Sequence, residues 1–92
     1  MKLPGQKDDC GKPQWDLLPW AGTEQVVRVL GYGANKYGAE NWRKIEAAER
    51  RYFSAALRHL AAHARGEKLD SESGLPHLAH AAASLLFLLE NV

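Results

Sequence analysis

Cysteine, isoleucine and threonine occur once each in this chain of 92 residues, and valine only four times. So few β-branched residues exclude an all-β or α/β fold, because strands are built from Val, Ile, Thr and aromatics. The lone Cys10 rules out an internal disulfide framework and fits a reducing cytoplasm. Net charge is only +1 and no basic stripe stands out, so generic coating of nucleic acid is excluded. The opening residues MKLPGQ lack the apolar stretch of a signal peptide. The longest apolar run, Leu78 to Leu89, contains His80 and Ser84 and is too short to span a bilayer.

What the chain does hold is alanine (14) and leucine (13), the residues that enter helices most easily. A domain this small buries only about 60–65% of the surface its unfolded chain exposes, so its core is thin. The expectation is a single all-α cytoplasmic domain that does not live alone. Three of the four prolines and two of the three tryptophans fall in residues 1–22. That stretch reads as an irregular arm, anchored to the body by Leu17, Leu18 and Trp20. Thr23 is placed to cap a first helix, with Glu24 in its first turn. Val26, Val29 and Leu30 follow with helical spacing. Gly31 and Gly33 weaken that helix, so it runs raggedly to Tyr37 until Gly38 stops it.

Asn41-Trp42 begins a connection. A second helix is predicted from Glu46 to Ala64, with Phe53, Leu57, Leu60, Ala61 and Ala64 as its apolar stripe. Gly66 ends it, and 67–75 (EKLDSESGL) is a polar turn. Pro76 suits the first turn of a third helix running to Glu90. That helix is apolar almost all round: Leu78, Ala82, Leu85 and Leu89 form one stripe, while Ala81, Phe87 and Leu88 populate other faces. A helix without a wet face is buried on several sides. With only three helices to hand, the missing cover comes most simply from another subunit.

The polar residues of the second hairpin form the densest chemical cluster. Arg58, His59 and His63 lie on the second helix; Glu67, Asp70 and Glu72 in the turn; His77 and His80 on one face of the third. A short turn makes the helices antiparallel neighbours, which brings His59 level with His77 and His80. Carboxylates beside imidazoles on facing helices are how bundles build metal sites. Mg²⁺ prefers the oxygens, whereas Mn²⁺ accepts both donors. The plainer alternative is a structural hairpin whose histidines pack and whose acids are solvated.

Glu46-Ala-Ala-Glu49 and Glu67-Lys-Leu-Asp70 also match a paired ExxE and ExxD carboxylate signature. Glu46 lies 20 residues before Gly66, about 30 Å along an unbroken helix, so the two pairs do not face each other within one subunit. The glycine-rich segment 31–38 (GYGANKYG) carries Lys36 but lacks a Walker ending and a preceding strand. Lys36, Arg43 and Arg58 remain phosphate partners, and Tyr37 and Trp42 surfaces for a base; the alternative is a helix end with packed aromatics. No Ser, Cys or His arrangement suggests a covalent nucleophile.

The segments GKPQWDLLPWAGTEQVVRVLGYGANKYGAENW and RYFSAALRHLAAHARGEKLDSESGLPHLAHAAASLLFLLE resemble the small phage dATP/dGTP diphosphohydrolases. These belong to the MazG-like all-α nucleotide pyrophosphohydrolase superfamily. The resemblance covers about residues 8–90 and rests on GKPxxDLLP, KYGxxNW, RHL and GExxDxESGLxHLAHA, in order. It implies hydrolysis of a purine deoxynucleoside triphosphate to the monophosphate and pyrophosphate, with two or more Mg²⁺ or Mn²⁺ ions. It also implies a bundle completed as a homodimer or homotetramer. In phages that replace adenine by 2-aminoadenine, such an enzyme supplies dGMP for the modified nucleotide.

Position by position, Glu67, Asp70 and Glu72 match the family's acidic turn, and His59, His77 and His80 its RHL and HLAH elements. Lys36, Tyr37, Asn41 and Trp42 match KYGxxNW. The reading is that Glu67, Asp70 and His59 act in catalysis. Metal is held by Glu67, Asp70, Glu72, His77 and His80, with Glu46 and Glu49 as alternates. Substrate is bound by Lys36, Tyr37, Asn41, Trp42 and Arg58. The rival is a non-catalytic helical module that senses a nucleotide or binds a partner. A third option is a phosphohydrolase that cuts the nucleotide elsewhere.

Overall fold

The computed structural model describes residues 4–92 and is all-helical. Its three helices are α1 (Trp20–Tyr37), α2 (Ala48–Ala64) and α3 (His77–Glu90). Single 3₁₀ turns at Trp15–Leu17 and Asn41–Lys44 precede α1 and α2. The middle helix is α3, packed along α2 and, on its other side, against α1. No helix among the described residues is long and apolar enough to cross a membrane.

Glycine sets the ends of α1 and α2, as expected. Gly38, at φ 95°, donates its N–H to Ala34 O at 2.8 Å and turns the chain out of α1. Gly66, at φ 98°, does the same after α2, and the Glu67 N–H reaches back to Ala62 O at 3.0 Å. Between α2 and α3 the chain pinches: Leu69 bridges Pro76, and the Asp70 N–H donates to Leu75 O at 2.8 Å. That pinch makes α2 and α3 the antiparallel hairpin that the short turn implied.

Other expectations need correction. Thr23 is not a cap: Pro19, whose ring presets φ, holds the N-cap position, and the arm gives way to α1 at Trp20. The Thr23 hydroxyl instead donates to Pro19 O at 2.8 Å. Leu17 and Trp20 do not anchor the arm, being 72% and 63% exposed; only Leu18 is half-buried. Residues 1–3 of that arm lie outside the described residues. Gly31 and Gly33 do not fray α1, which is continuous through both. The second helix starts at Ala48 rather than Glu46, and Pro76 is the N-cap of α3 rather than its first residue.

The largest correction concerns which faces pack. The residues of α2 that are buried are Ala56 and Ala62, whereas Phe53, Leu57 and Leu60 point outward. Likewise α3 buries His77, Ala79, Ala81, Ala83 and Ser84 and leaves Leu78, Leu85 and Leu89 exposed. Small side chains let helix axes approach closely, and the imidazoles that meet across the hairpin need that same face. Val29 joins Ala79 and Ala83 between α1 and α3, flanked by Val26, Leu30 and Leu75. A buried alanine contributes only about 0.8 kcal/mol. No large side chain is fully buried among the described residues, so the core is as thin as the length implied.

Candidate functional site

The turn that joins α2 to α3 is built by Asp70. Its carboxylate accepts the Ser73 N–H at 2.9 Å, and its carbonyl accepts the Gly74 N–H at 2.8 Å, closing a loop that needs φ 73° at Gly74. The Ser73 hydroxyl in turn accepts the Leu75 N–H at 3.1 Å and pairs with His80 Nε2 at 2.7 Å. Ser73 Oγ keeps its proton and a second lone pair, so it can satisfy either tautomer of the His80 ring. His80 Nε2 also lies 3.9 Å from Asp70 Oδ2.

Three imidazoles meet above this turn. His59 Nδ1 and His77 Nδ1 are 2.8 Å apart, and the His59 ring stacks on His80 with centroids 4.6 Å apart and planes 13° from parallel. Burial lowers the His59 pKa, and the neighbouring His80 and His77 lower it further. Burial likewise lowers that of His80, against the pull of Asp70. Partial burial pushes Asp70 upward, but the Ser73 hydrogen bonds and the nearby histidines outweigh it, so its carboxyl stays below the ordinary value.

The donor set fits a cation. One ligand atom each from His59, Asp70 and His77 lie within 4.8 Å of one another. His77 is 95% buried, and its Nε2 makes no hydrogen bond although Glu67 Oε2 is 3.3 Å away, too far off line to accept one. That nitrogen faces Glu67, on the opposite edge of the ring from the Nδ1 that meets His59.

Beside the cluster opens a cleft of about 1010 Å³ between α1, the 3₁₀ turn at Asn41–Lys44 and the outer end of α3. Lys36, Tyr37, Asn41, Trp42 and Arg58 line it, whereas Arg43, the other phosphate partner considered from sequence, does not. His59, Asp70, Glu72 and His80 line it too, whereas Glu67 and His77 stand behind that wall. Glu72 does not turn toward the histidines. It accepts the Tyr32 hydroxyl at 2.7 Å and pairs with Lys36, which hold its carboxyl below its usual value and raise the Lys36 ammonium. Trp42 is stacked on Phe87 at 4.8 Å and carries the Arg43 guanidinium 4.3 Å from its centroid, so its faces are taken. Tyr37, 61% exposed, offers the freer ring.

Glu46 and Glu49 stand apart from all of this. Glu46 precedes α2 and Glu49 sits in its first turn, while Glu67 and Asp70 follow its other end. The unbroken α2 between them is about 25 Å long.

Sequence reasoning missed Ser73 and Tyr32. Ser73 carried a signal, since in Asp-x-x-Ser-Gly the Asp side chain can accept the N–H of the fourth residue and close the turn. Tyr32 lies one turn before Lys36 on α1, the spacing at which two side chains share one partner.

The sequence family described as dATP/dGTP diphosphohydrolase, N-terminal, matches residues 2–92. A dATP/dGTP diphosphohydrolase of Salmonella phage PMBT28 is 38% identical over 86 residues, which is 94% of this chain. The chain spans only 29% of the length of that relative. No solved structure matches.

Proposed function

This chain belongs to the dATP/dGTP diphosphohydrolase family, and on that premise we propose that it hydrolyses purine deoxynucleoside triphosphates to the monophosphate and pyrophosphate. The observation that carries the reading is one cleft with cation donors at its inner end and Lys36, Arg58 and exposed Tyr37 along its walls. A triphosphate needs both cationic contacts and a divalent ion, and a purine needs an aromatic or apolar wall. The relative's name supports a purine deoxynucleotide as substrate. The role served is remodelling of a phage nucleotide pool, with supply of dGMP for 2-aminoadenine synthesis as its most specific form.

In this mechanism water attacks the α-phosphorus, a new P–O bond forms, and the bond to the bridging oxygen of the β-phosphate breaks. His59, Asp70 and His77 would hold a divalent cation, Mn²⁺ or Mg²⁺, whose charge would offset that of the phosphates and make a nearby water more acidic. The ring of His80, stacked on His59 and 3.9 Å from Asp70, supplies the proton acceptor for the attacking water. Lys36 and Arg58 meet the charge that builds on the leaving pyrophosphate. For Lys36 this means exchanging Glu72 for a phosphate oxygen. Tyr37 stacks on the base, and the Trp42–Phe87 pair walls the cleft.

The purified chain is incubated with each of the four dNTPs and Mn²⁺ or Mg²⁺, and products are separated by ion-exchange chromatography. Pyrophosphate and monophosphate from dGTP or dATP are expected. Release of nothing from any dNTP overturns the reading, and inorganic phosphate in place of pyrophosphate moves the cleaved bond. A non-catalytic module is the reading favoured by the outward leucines of α2 and α3. It predicts that Leu85→Asp abolishes the function while Asp70→Asn leaves it intact.

A further inference from the structure

We propose, resting on that reading of the cleft, that its cation position selects a first-row transition ion that accepts imidazole, such as Mn²⁺ or Co²⁺, over Mg²⁺. Two of the three donors that converge there, His59 and His77, are imidazoles, and only Asp70 is a carboxylate. Mg²⁺ demands oxygen ligands in near-ideal octahedral array and keeps much of its water, whereas imidazole suits the later ions.

The carboxylates that could restore an oxygen site are committed elsewhere. Glu72 is tied to Tyr32 and Lys36. Glu46 and Glu49 lie at the far end of α2. Glu67 is half-exposed and stands at His77 Nε2, on the side of that ring turned away from His59.

The facing nitrogens carry the argument further. With His59 Nδ1 and His77 Nδ1 only 2.8 Å apart, two lone pairs would oppose each other unless something positive lies between them. A single proton donated from one ring to the other meets that need. The spacing is also close to the edge between two nitrogens on one ion, about 3 Å for right-angled bonds of about 2.1 Å. A cation that accepts nitrogen replaces the proton without moving either helix.

Metal-stripped protein, without nucleotide, is titrated by calorimetry with MgCl₂, MnCl₂ and CoCl₂, and Co²⁺ binding is followed by its visible absorption. Mn²⁺ and Co²⁺ are expected to bind about tenfold or more tightly than Mg²⁺, with Co²⁺ bands typical of nitrogen ligation. His59→Gln should weaken Co²⁺ by about tenfold or more and narrow the preference over Mg²⁺, as loss of a ligand does. His63→Gln, one turn further along α2, should retain both. The inference is overturned by Mg²⁺ binding as tightly as Mn²⁺, or by wild-type Co²⁺ affinity in His59→Gln. The wild-type comparison stands whether or not the variant folds. Because no nucleotide is present, failure here is distinct from failure to cleave dNTPs.

Discussion

Ser73 ties together groups that would otherwise be independent: its N–H holds the Asp70 carboxylate and its hydroxyl holds His80. Ser73→Ala strands the half-buried ring of His80 and the Leu75 N–H, and should cost about 1–2 kcal/mol of stability in urea unfolding. Ser73→Thr, which keeps the hydroxyl, should recover most of it. The histidines make a second expectation, this one about pH. His59 and His80 have folded-state pKa values below the usual value of about 6.5, so the unfolded chain binds protons more readily. Their contribution is complete above that value and is lost as pH falls below it toward the folded pKa values. Melting of the metal-free protein, followed by circular dichroism from pH 8 to 5, should drop in temperature over the acidic half of that range. A melting temperature that rises on acidification would contradict the packing of the rings as neutral groups.

At the scale of elements, backbone signals were legible and packing faces were not. Gly38, Gly66 and Pro76 mark helix ends because each has a conformational property that no packing overrides. The hairpin register was legible for the same reason: a short turn allows one alignment, and it set His59 against His77 and His80. The buried face of α2 was not legible, since periodicity counts apolar residues and α2 has two apolar faces. Leucines fill one and alanines, with His59, the other. Only the alanine face lets α3 come close enough for imidazole to meet imidazole. Nor could the sequence reveal Ala47, which enters α2 in the left-handed conformation at φ 55°. A residue with a Cβ loses about 1–2 kcal/mol there, part of which glycine recovers while losing some to its freer unfolded state. Ala47→Gly should therefore stabilise the chain by about 0.5–1 kcal/mol, and Ala47→Val should destabilise it by more. Equal urea midpoints for all three would show that the strain is relieved elsewhere.

Taken whole, the molecule has more surface than its mass allows a compact monomer. Its accessible area is 7319 Å², against about 5,300 Å² expected for a compact protein of this size. The radius of gyration is 17.1 Å, where about 12 Å is expected. Part of the excess of about 2,000 Å² is the N-terminal arm, but the outward faces of α2 and α3 present Phe53, Leu57, Leu60, Leu78 and Leu85, each 41–52% exposed. An area of that order per chain matches what obligate homodimers bury, and its composition is that of a domain core cut in two. We therefore expect the chain to pair with a second copy through these faces, none of whose five residues lines the cleft. Light scattering at micromolar concentration should return a multiple of 10.2 kDa, with a melting temperature that rises with protein concentration. Leu57→Asp and Leu85→Asp, neither of which lines the cleft, should lower the scattering mass to that of one chain. A wild-type chain that scatters as a monomer, with concentration-independent melting, would leave those leucines to a different partner. That outcome would remove the second copy from the account.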